Sequence, residues 1–427
     1  MSVEEHIPSY YLATAKERPG RPVLEGDHQA DVCVVGAGFT GLSTALNLAE
    51  RGYRVAVVEA NSVGWGASGR NGGQIGTDFS SGIEKIRDWV GAEDARRLWD
   101  LVEESKAIIR DRVERHAIDC DLTWGYLLAA EKQRQLDDLK ETQELYRRDY
   151  GYEATGIVER DEVRQHVDSD TYIGGMTDSG AGHLHPLNYC LGLGRAAAEA
   201  GVRIFEGSRV VEVDSGAEPS VRSEKGRVRA KFLVLCCNAY LGDLVPKLRR
   251  KIMPVGTYIG ATEVLGPNRA SGLIPRNEAI CDCNFVLNYY RLSSDHRLLF
   301  GGRVSYSTLM PPNLPAAMRR KMLEVFPGLD DVSFDYTWGG FVAITVERTP
   351  HLGRIGQNVY FAQGFSGQGV AITGIAGKVM AEAIAGQAER FDLFTRLPHT
   401  TFPGGRLFRT PSLALAMLWY RMRDLLP

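Results

Sequence analysis

A run of apolar residues long enough to cross a bilayer is missing. The longest uninterrupted stretch is Leu413–Tyr420, far short of the ~20 residues a membrane helix needs. The opening Met-Ser-Val-Glu-Glu-His has neither the basic nor the apolar region of a secretory leader, so the expected compartment is the cytoplasm. Charge of one sign is also lacking. Fifty basic against 53 acidic residues leave a formal charge of −3, which gives no electrostatic basis for binding nucleic acid or a membrane surface. Cysteine is sparse and odd in number: the seven (33, 120, 190, 236, 237, 281 and 283) are scattered, mostly in apolar runs such as Leu233–Cys237. No C-x-x-C occurs, and no histidine cluster at metal spacing accompanies Cys281 and Cys283. Structural thiols are expected, rather than a disulfide framework or a zinc site.

What is abundant is glycine, with 47 residues, many of them clustered where a backbone must approach a ligand closely. A chain of 427 residues, 44% hydrophobic and 24% charged, has the composition of a globular protein of two domains or two interleaved ones. Residues 1–30 read as a polar lead-in arm. Asp31–Val35, the amphipathic Phe39–Arg51 and Arg54–Val58 then read as strand, helix and strand. After the loop Ser62–Gly76 come a charged helix from Ile83 to His116, a strand at Leu122–Ala130 and a polar helix over Glu131–Tyr150. Pro186 opens a helix that Gly201 stops. Strands are expected at Val202–Phe205, Arg209–Val213 and Phe232–Cys236. Val255–Ile344 is mostly strand, with one helix at Pro315–Val325. A strand at Val359–Phe361, a helix over Gly369–Ala385 and a last helix after Pro411 complete the chain. Alternation of α/β segments with strand-rich insertions predicts a discontinuous cofactor domain (1–80, 185–254 and 345–427) interleaved with a substrate domain (81–184 and 255–344).

Gly36-Ala-Gly38-Phe39-Thr40-Gly41 follows the first strand directly and opens the helix, and Glu59 with Ala60 ends the second strand, 23 positions after Gly36. That is the layout of a dinucleotide site. Gly36 permits the tight turn, Gly38 the approach of a pyrophosphate, and Gly41 the packing of helix on strand. The helix N-terminus offers free amides and a positive dipole end. Glu59 can hold ribose hydroxyls and disfavours a 2′-phosphate. A packing turn is the alternative.

A second loop, Gly64-Trp-Gly66-Ala67-Ser68-Gly-Arg70-Asn71-Gly72-Gly73, followed by Gln74, favours FAD over NAD. A nicotinamide cofactor has no need of a second glycine loop after the acid, whereas a flavin needs its ribityl chain and ring edge wrapped. A flexible surface loop is the plain alternative. Gly364-Phe-Ser366-Gly367-Gln368-Gly369, running into Val370, lies between strand and helix and would aim a helix N-terminus at the flavin N1–C2=O edge. An ordinary strand-to-helix connection is again the alternative. The segment is no nucleophile elbow, because Gln368 stands where G-x-S-x-G needs its last glycine.

These loops resemble the D-amino-acid oxidase (DAO) type of FAD-dependent amine and amino-acid oxidoreductases. Ser9–Thr14, Val63–Gly73, Trp338–Thr345 and Phe402–Arg406 are similar to its gamma-glutamylputrescine oxidoreductase branch, and the resemblance runs nearly end to end. It implies a Rossmann-type, glutathione-reductase-like FAD domain interleaved with an α+β substrate domain on a mostly antiparallel sheet. It further places Val210 against adenine, and puts Cys237 and Asn238 at the pyrophosphate turn, where the family more often has Ala or Gly. Relatives with covalent flavin carry a histidine in the second loop or a cysteine shortly before the C-terminal one. Here Arg70-Asn71 occupies the first place and no cysteine follows Cys283, so non-covalent FAD is implied.

Flavin amine oxidation needs an oriented neutral amine, not an obligatory side-chain base, and no catalytic residue is assigned. Arg303 and Arg348 could each clamp a carboxylate. Tyr258, Tyr289, Tyr290, Trp338 and Phe341 could line an alkylamine slot. Surface arginines and core aromatics are the plainer alternatives. His183, His185 and His351 read as structural. Ser412–Leu426, with Arg421 and Arg423, reads as an amphipathic helix that packs on the protein rather than anchoring a membrane. The expected activity is oxidation of a gamma-glutamylated diamine or polyamine to an aldehyde and ammonia, with oxygen or another electron acceptor. Oxidation of D- or N-methyl amino acids and a non-catalytic flavin-binding module are the competing readings.

Overall fold

The computed structural model describes residues 4–16, 18–302 and 313–403. The β-branched runs of the first two strands become the centre of a sheet whose main order is His351–Ile355, Val359–Gln363, Gly226–Leu235, Gly26–Val35, Val55–Val58, Arg203–Phe205. Neighbours along it are parallel except for the His351–Gln363 hairpin. Strands with helices on their faces are buried on both sides, which is why Val32, Cys33 and Val34 are all fully inaccessible.

Close approach of three helices depends on small residues. Helix Phe39–Ala49 meets Gly369–Ile384 at Ser43, whose Oγ donates to Gly374 O (2.8 Å) and accepts from Arg112 of helix Ile83–Arg115 (3.0 Å). Ile375 N donates to Ser105 Oγ of the same long helix at 3.1 Å. A Cβ on Gly377 would lie 2.5 Å from Ser43 Cβ and Oγ.

A second sheet runs Phe334–Ile344, Met253–Thr262, Leu298–Gly302, Asn288–Leu292, Ala279–Asp282, Thr123–Ala130, Gly174–His183, Gln74–Ile75, with Thr155–Val158 also on Gly174–His183. Every neighbouring pair is antiparallel except Ala279–Asp282 with Thr123–Ala130. One face packs on helix Leu314–Val325, which Asn313 caps and Pro315 starts; Tyr290, Phe300, Met318 and Met322 form the core between them.

The structure adds a helix, Pro267–Leu273, inside the stretch expected to hold only one, and it departs from the sequence reading elsewhere as well. The lead-in arm is no loose tail: Ser9 caps a helical turn at Tyr10–Ala13, and Tyr11 is fully buried, edge-on to Trp338 at 5.1 Å. Aromatic burial overrides the polar composition there. The strand expected at Arg209–Val213 lies at Glu212–Asp214. The long helix is interrupted at Gly91, whose φ is +83°. Gln74–Ile75 joins the second sheet, although its neighbours in sequence serve the first. Arg303 and the expected Ser412–Leu426 helix lie outside the described residues. No described helix is long and apolar enough to cross a membrane.

Gly377→Ala forces the Ser43 contact apart and should cost about 1–3 kcal/mol. Thermal unfolding should show a clearly lowered Tm; an unchanged one would mean the helix pair repacks freely.

Candidate functional site

A cavity of about 480 Å³ opens along the C-terminal edge of the first sheet, where a doubly wound sheet binds its ligands. Its lining brings together Gly36, Gly38, Phe39 and Thr40 of the first loop, Glu59 and Ala60, then Gly66, Ala67, Ser68 and Asn71 of the second loop. Val210, Cys237 and Asn238 join them, as do Ser366, Gly367, Gly369 and Val370 from the far end of the chain. Glycine loops distant in sequence thus converge on one space.

Gly36 has φ +104°, and a Cβ there would meet Cys236 O at 2.9 Å. Gly41 is needed for packing: its Cβ would fall 1.9 Å from Gly36 O. Among the first-turn amides, Phe39 N donates to Ser68 Oγ (3.0 Å) and Leu42 N closes on Gly38 O (2.9 Å). The amides of Thr40 and Gly41 remain as donors for an anion at the positive helix end. Glu59 accepts Ala37 N and Asn61 N, at 2.8 and 2.9 Å, one on each oxygen. Each oxygen keeps a second lone pair for a ribose hydroxyl. Burial raises the Glu59 pKa, and the two amides oppose that rise.

The second loop is turned inside out by its neighbours. Trp65 O accepts Arg70 Nε (2.7 Å), Arg70 O accepts Trp338 Nε1 (3.0 Å), Gly72 O accepts Arg291 Nε (2.8 Å) and Gly73 O accepts Leu184 N (2.9 Å). Asn71 Nδ2 donates to the carbonyls of Ala67 and Ser68. With these carbonyls satisfied by protein, amides are what the loop can offer a ligand. In the third loop, Gly364, Ser366 and Gly367 all have positive φ (+73°, +53° and +108°). Gly364 N is held by Asn238 Oδ1 (2.9 Å), and Ser366 N by Ala343 O (3.0 Å).

Several expected site residues do not line this cavity. The Gln74 side chain turns into the second sheet, donating to Ile280 O and accepting from Tyr126. Gln368 instead packs on Gly76, where a Cβ would meet its Oε1 at 2.6 Å. Trp338 is wholly buried as the clamp on Arg70 O. Tyr258 and Tyr290 belong to the core under helix Leu314–Val325. Tyr289 lies over Gly72 and Gly301. The Arg348 guanidinium sits 4.4 Å from the Phe285 ring. Of the five aromatics considered, Phe341 alone borders the cavity, beside Trp65 and Tyr240.

Of the histidines read as structural, His183 and His185 are buried and His351 is half-buried. His185 caps helix Pro186–Glu199, and burial followed by the nearby Arg291 charge pulls both His183 and His185 down to about 3. His351 stacks on His399 at 4.1 Å. Sequence reasoning missed Arg291 and Tyr240. A lone arginine inside the apolar run Asn288–Leu292 was the available signal for the first.

Strand-loop-helix geometry, an acid at the second strand end and three converging glycine loops define a flavin-type dinucleotide oxidoreductase. Comparison with known proteins agrees: residues 31–383 match the DAO family model, described as FAD dependent oxidoreductase. The chain belongs to that family. It is 43% identical to a gamma-glutamylputrescine oxidoreductase of Escherichia coli, over 98% of this chain and 99% of that protein. It is 42% identical to a probable oxidoreductase, OrdL, of Haemophilus influenzae, over 99% and 98%. Among solved structures, glycine oxidase from Geobacillus kaustophilus superposes with a TM-score of 0.73 at 21% identity, covering 87% of this chain and all of that one. That likeness is one of fold.

Gly38→Val would drive a side chain into Ser68 Oγ, already 2.8 Å from an ideal Cβ. The purified variant should lose its flavin, read as the ratio of absorbance at flavin and protein bands, while Ser68→Ala should lose only part of it. A full flavin complement in Gly38→Val would place the phosphates elsewhere.

Proposed function

We propose that the protein oxidises the terminal amine of a gamma-glutamylated diamine or polyamine, such as gamma-glutamylputrescine, to the aldehyde and ammonia. The observation that carries this reading is the identity, over almost the whole of both chains, to the Escherichia coli enzyme of that name. Residues 1–80, 185–254 and 345–427 serve as the cofactor unit and residues 81–184 and 255–344 as the substrate unit, with Gln74–Ile75 and Met253–Pro254 reaching across to the second sheet.

The residues present fit FAD. Thr40 and Gly41 amides would take the pyrophosphate, Glu59 the adenosine ribose, and the Asn71 loop with the Gly367–Val370 helix start the flavin end. When bound, FAD supplies the hydride acceptor: loss of hydride from the α-carbon of R–CH₂–NH₂ leaves R–CH=NH₂⁺, which water converts to R–CHO and NH₄⁺. The protein's work is to orient the neutral amine, exclude water and hold the flavin. The cofactor is held non-covalently, since Arg70-Asn71 stands where a histidine attachment would be and no cysteine follows Cys283. Acid precipitation should release the yellow colour into the supernatant; colour retained in the pellet would overturn this.

Anaerobic mixing tests the substrate. Gamma-glutamylputrescine should bleach the flavin much faster than free putrescine, glycine or a D-amino acid, because the glutamyl head provides binding energy remote from the reacting carbon. Equal rates with putrescine would defeat the substrate assignment, and faster reduction by an amino acid would favour amino-acid oxidation.

A further inference from the structure

The Arg70 side chain holds Trp65 O in the cofactor cradle through Nε, and its two outer nitrogens are left over from that task. Its place is fixed on three sides. Nε donates to Trp65 O at 2.7 Å, the guanidinium lies 4.2 Å from the Trp65 ring centroid, and the missing side chain of Gly340 makes room for Arg70 Cβ and Cδ. It is half-buried, yet no carboxylate of the described residues forms an ion pair with it. Its two terminal nitrogens have no hydrogen-bond partner among the described residues. Desolvation lowers its pKa, and only the more distant Tyr240 and Glu4 work against that.

Two other sheltered arginines are satisfied. Arg297 pairs with Asp295 and Asp335, and Arg291 spends its donors on Gly72 O, Leu292 O, Leu184 O and Tyr11 Oη. A desolvated fork with both outer nitrogens open suits a bidentate anion. Phosphate and carboxylate share that chemistry, but the helix end at Thr40 and Gly41 already offers the phosphates their donors. Trp65, Tyr240 and Phe341 form an edge-to-face row along the cavity wall, with centroids 5.4 and 6.0 Å apart, apolar cover for a methylene chain.

We propose that Arg70 binds the carboxylate of the substrate's glutamyl head, with the Trp65–Tyr240–Phe341 row covering its alkyl chain. This assignment rests on the gamma-glutamyl amine reading above. It displaces Arg348, which lies against Phe285, as the carboxylate partner.

The test uses full-length holoenzyme with Arg70→Met and Arg70→Lys. The probe is gamma-glutamyl-n-butylamide, which keeps the head and chain but lacks the oxidisable amine, titrated by its perturbation of the flavin spectrum. Arg70→Met should weaken its binding by about tenfold or more, and Arg70→Lys by less, since a point charge replaces the fork. KM for gamma-glutamylputrescine should rise in parallel, and by a larger factor than the limiting rate of flavin reduction falls. FAD affinity, measured by flavin fluorescence, should fall by a smaller factor than amide affinity, the fall reflecting the lost bond from Nε to Trp65 O. Loss of FAD affinity with unchanged amide binding would make Arg70 a cofactor ligand and overturn the proposal. Equal amide binding by parent and Arg70→Met would overturn it alone, while failure of the parent to bind the amide would bring down the substrate reading as well. If Arg70→Met does not fold, Arg70→Lys carries the same comparisons.

Discussion

The hydrogen bonds that fix the second glycine loop to the other sheet are the constraint on which the site depends. A glycine-rich segment has many conformations to lose. Arg70 Nε and Asn71 Nδ2 hold the carbonyls of Trp65, Ala67 and Ser68, but nothing within residues 64–73 selects the conformation in which the carbonyls of Arg70 and Gly72 face protein. Arg291 and Trp338, both from the second sheet, make that selection by taking Gly72 O and Arg70 O. Tyr11 then packs between Trp338 and His185, and its hydroxyl accepts from Arg291. The cradle is therefore a joint product of both sheets, not a property of the dinucleotide fold alone. A buried guanidinium among neutral acceptors is costly unless every donor is used, and Arg291 uses Nε, Nη1 and Nη2.

Local signals made the first loop legible. Gly36, Gly38 and Gly41 fall at the spacing a two-strand, one-helix pattern sets and Glu59 is found by counting, although the atoms nearest a Cβ at Gly36 and Gly38 belong to Cys236 and Ser68, outside that unit. The helix opened by Pro186 and the one capped by Asn313 were readable for the same reason, since caps and prolines act within a turn. Asn238 could be placed by resemblance, but its hydrogen bond to Gly364 N joins positions 126 residues apart and leaves no local trace. Trp338 shows the limit most plainly. An aromatic residue in a strand next to two glycines suits a ligand wall equally well as a core clamp, and only the carbonyl of Arg70 decides between them. Tyr10 and Tyr11 were hidden by polar neighbours, because composition averages over a segment while burial is settled residue by residue.

Small residues at the meeting of three helices do for the cofactor unit what the paired carbonyls do for the loop. Ser43, Gly374 and Gly377 bring the helix that follows the first strand against the helix that follows the last glycine loop. Larger side chains would separate the two N-termini, and both line the same cavity. The separation of helix ends that face one ligand is thereby set by side chains on their far turns.

The parallel partners of Gly26–Val35 and Gly226–Leu235 impose an order on synthesis. On the ribosome, the opening strand is made early but finds its Gly226–Leu235 neighbour only after most of the intervening sheet has emerged, and Leu233–Leu235 waits longer still for Val359–Phe361. Contacts so far apart in the chain close late and slowly. A nascent chain that has made its first glycine loop consequently has no finished pocket to offer, and cofactor loading waits at least until the loop Gly364–Gly369 and the start of the helix after it have emerged.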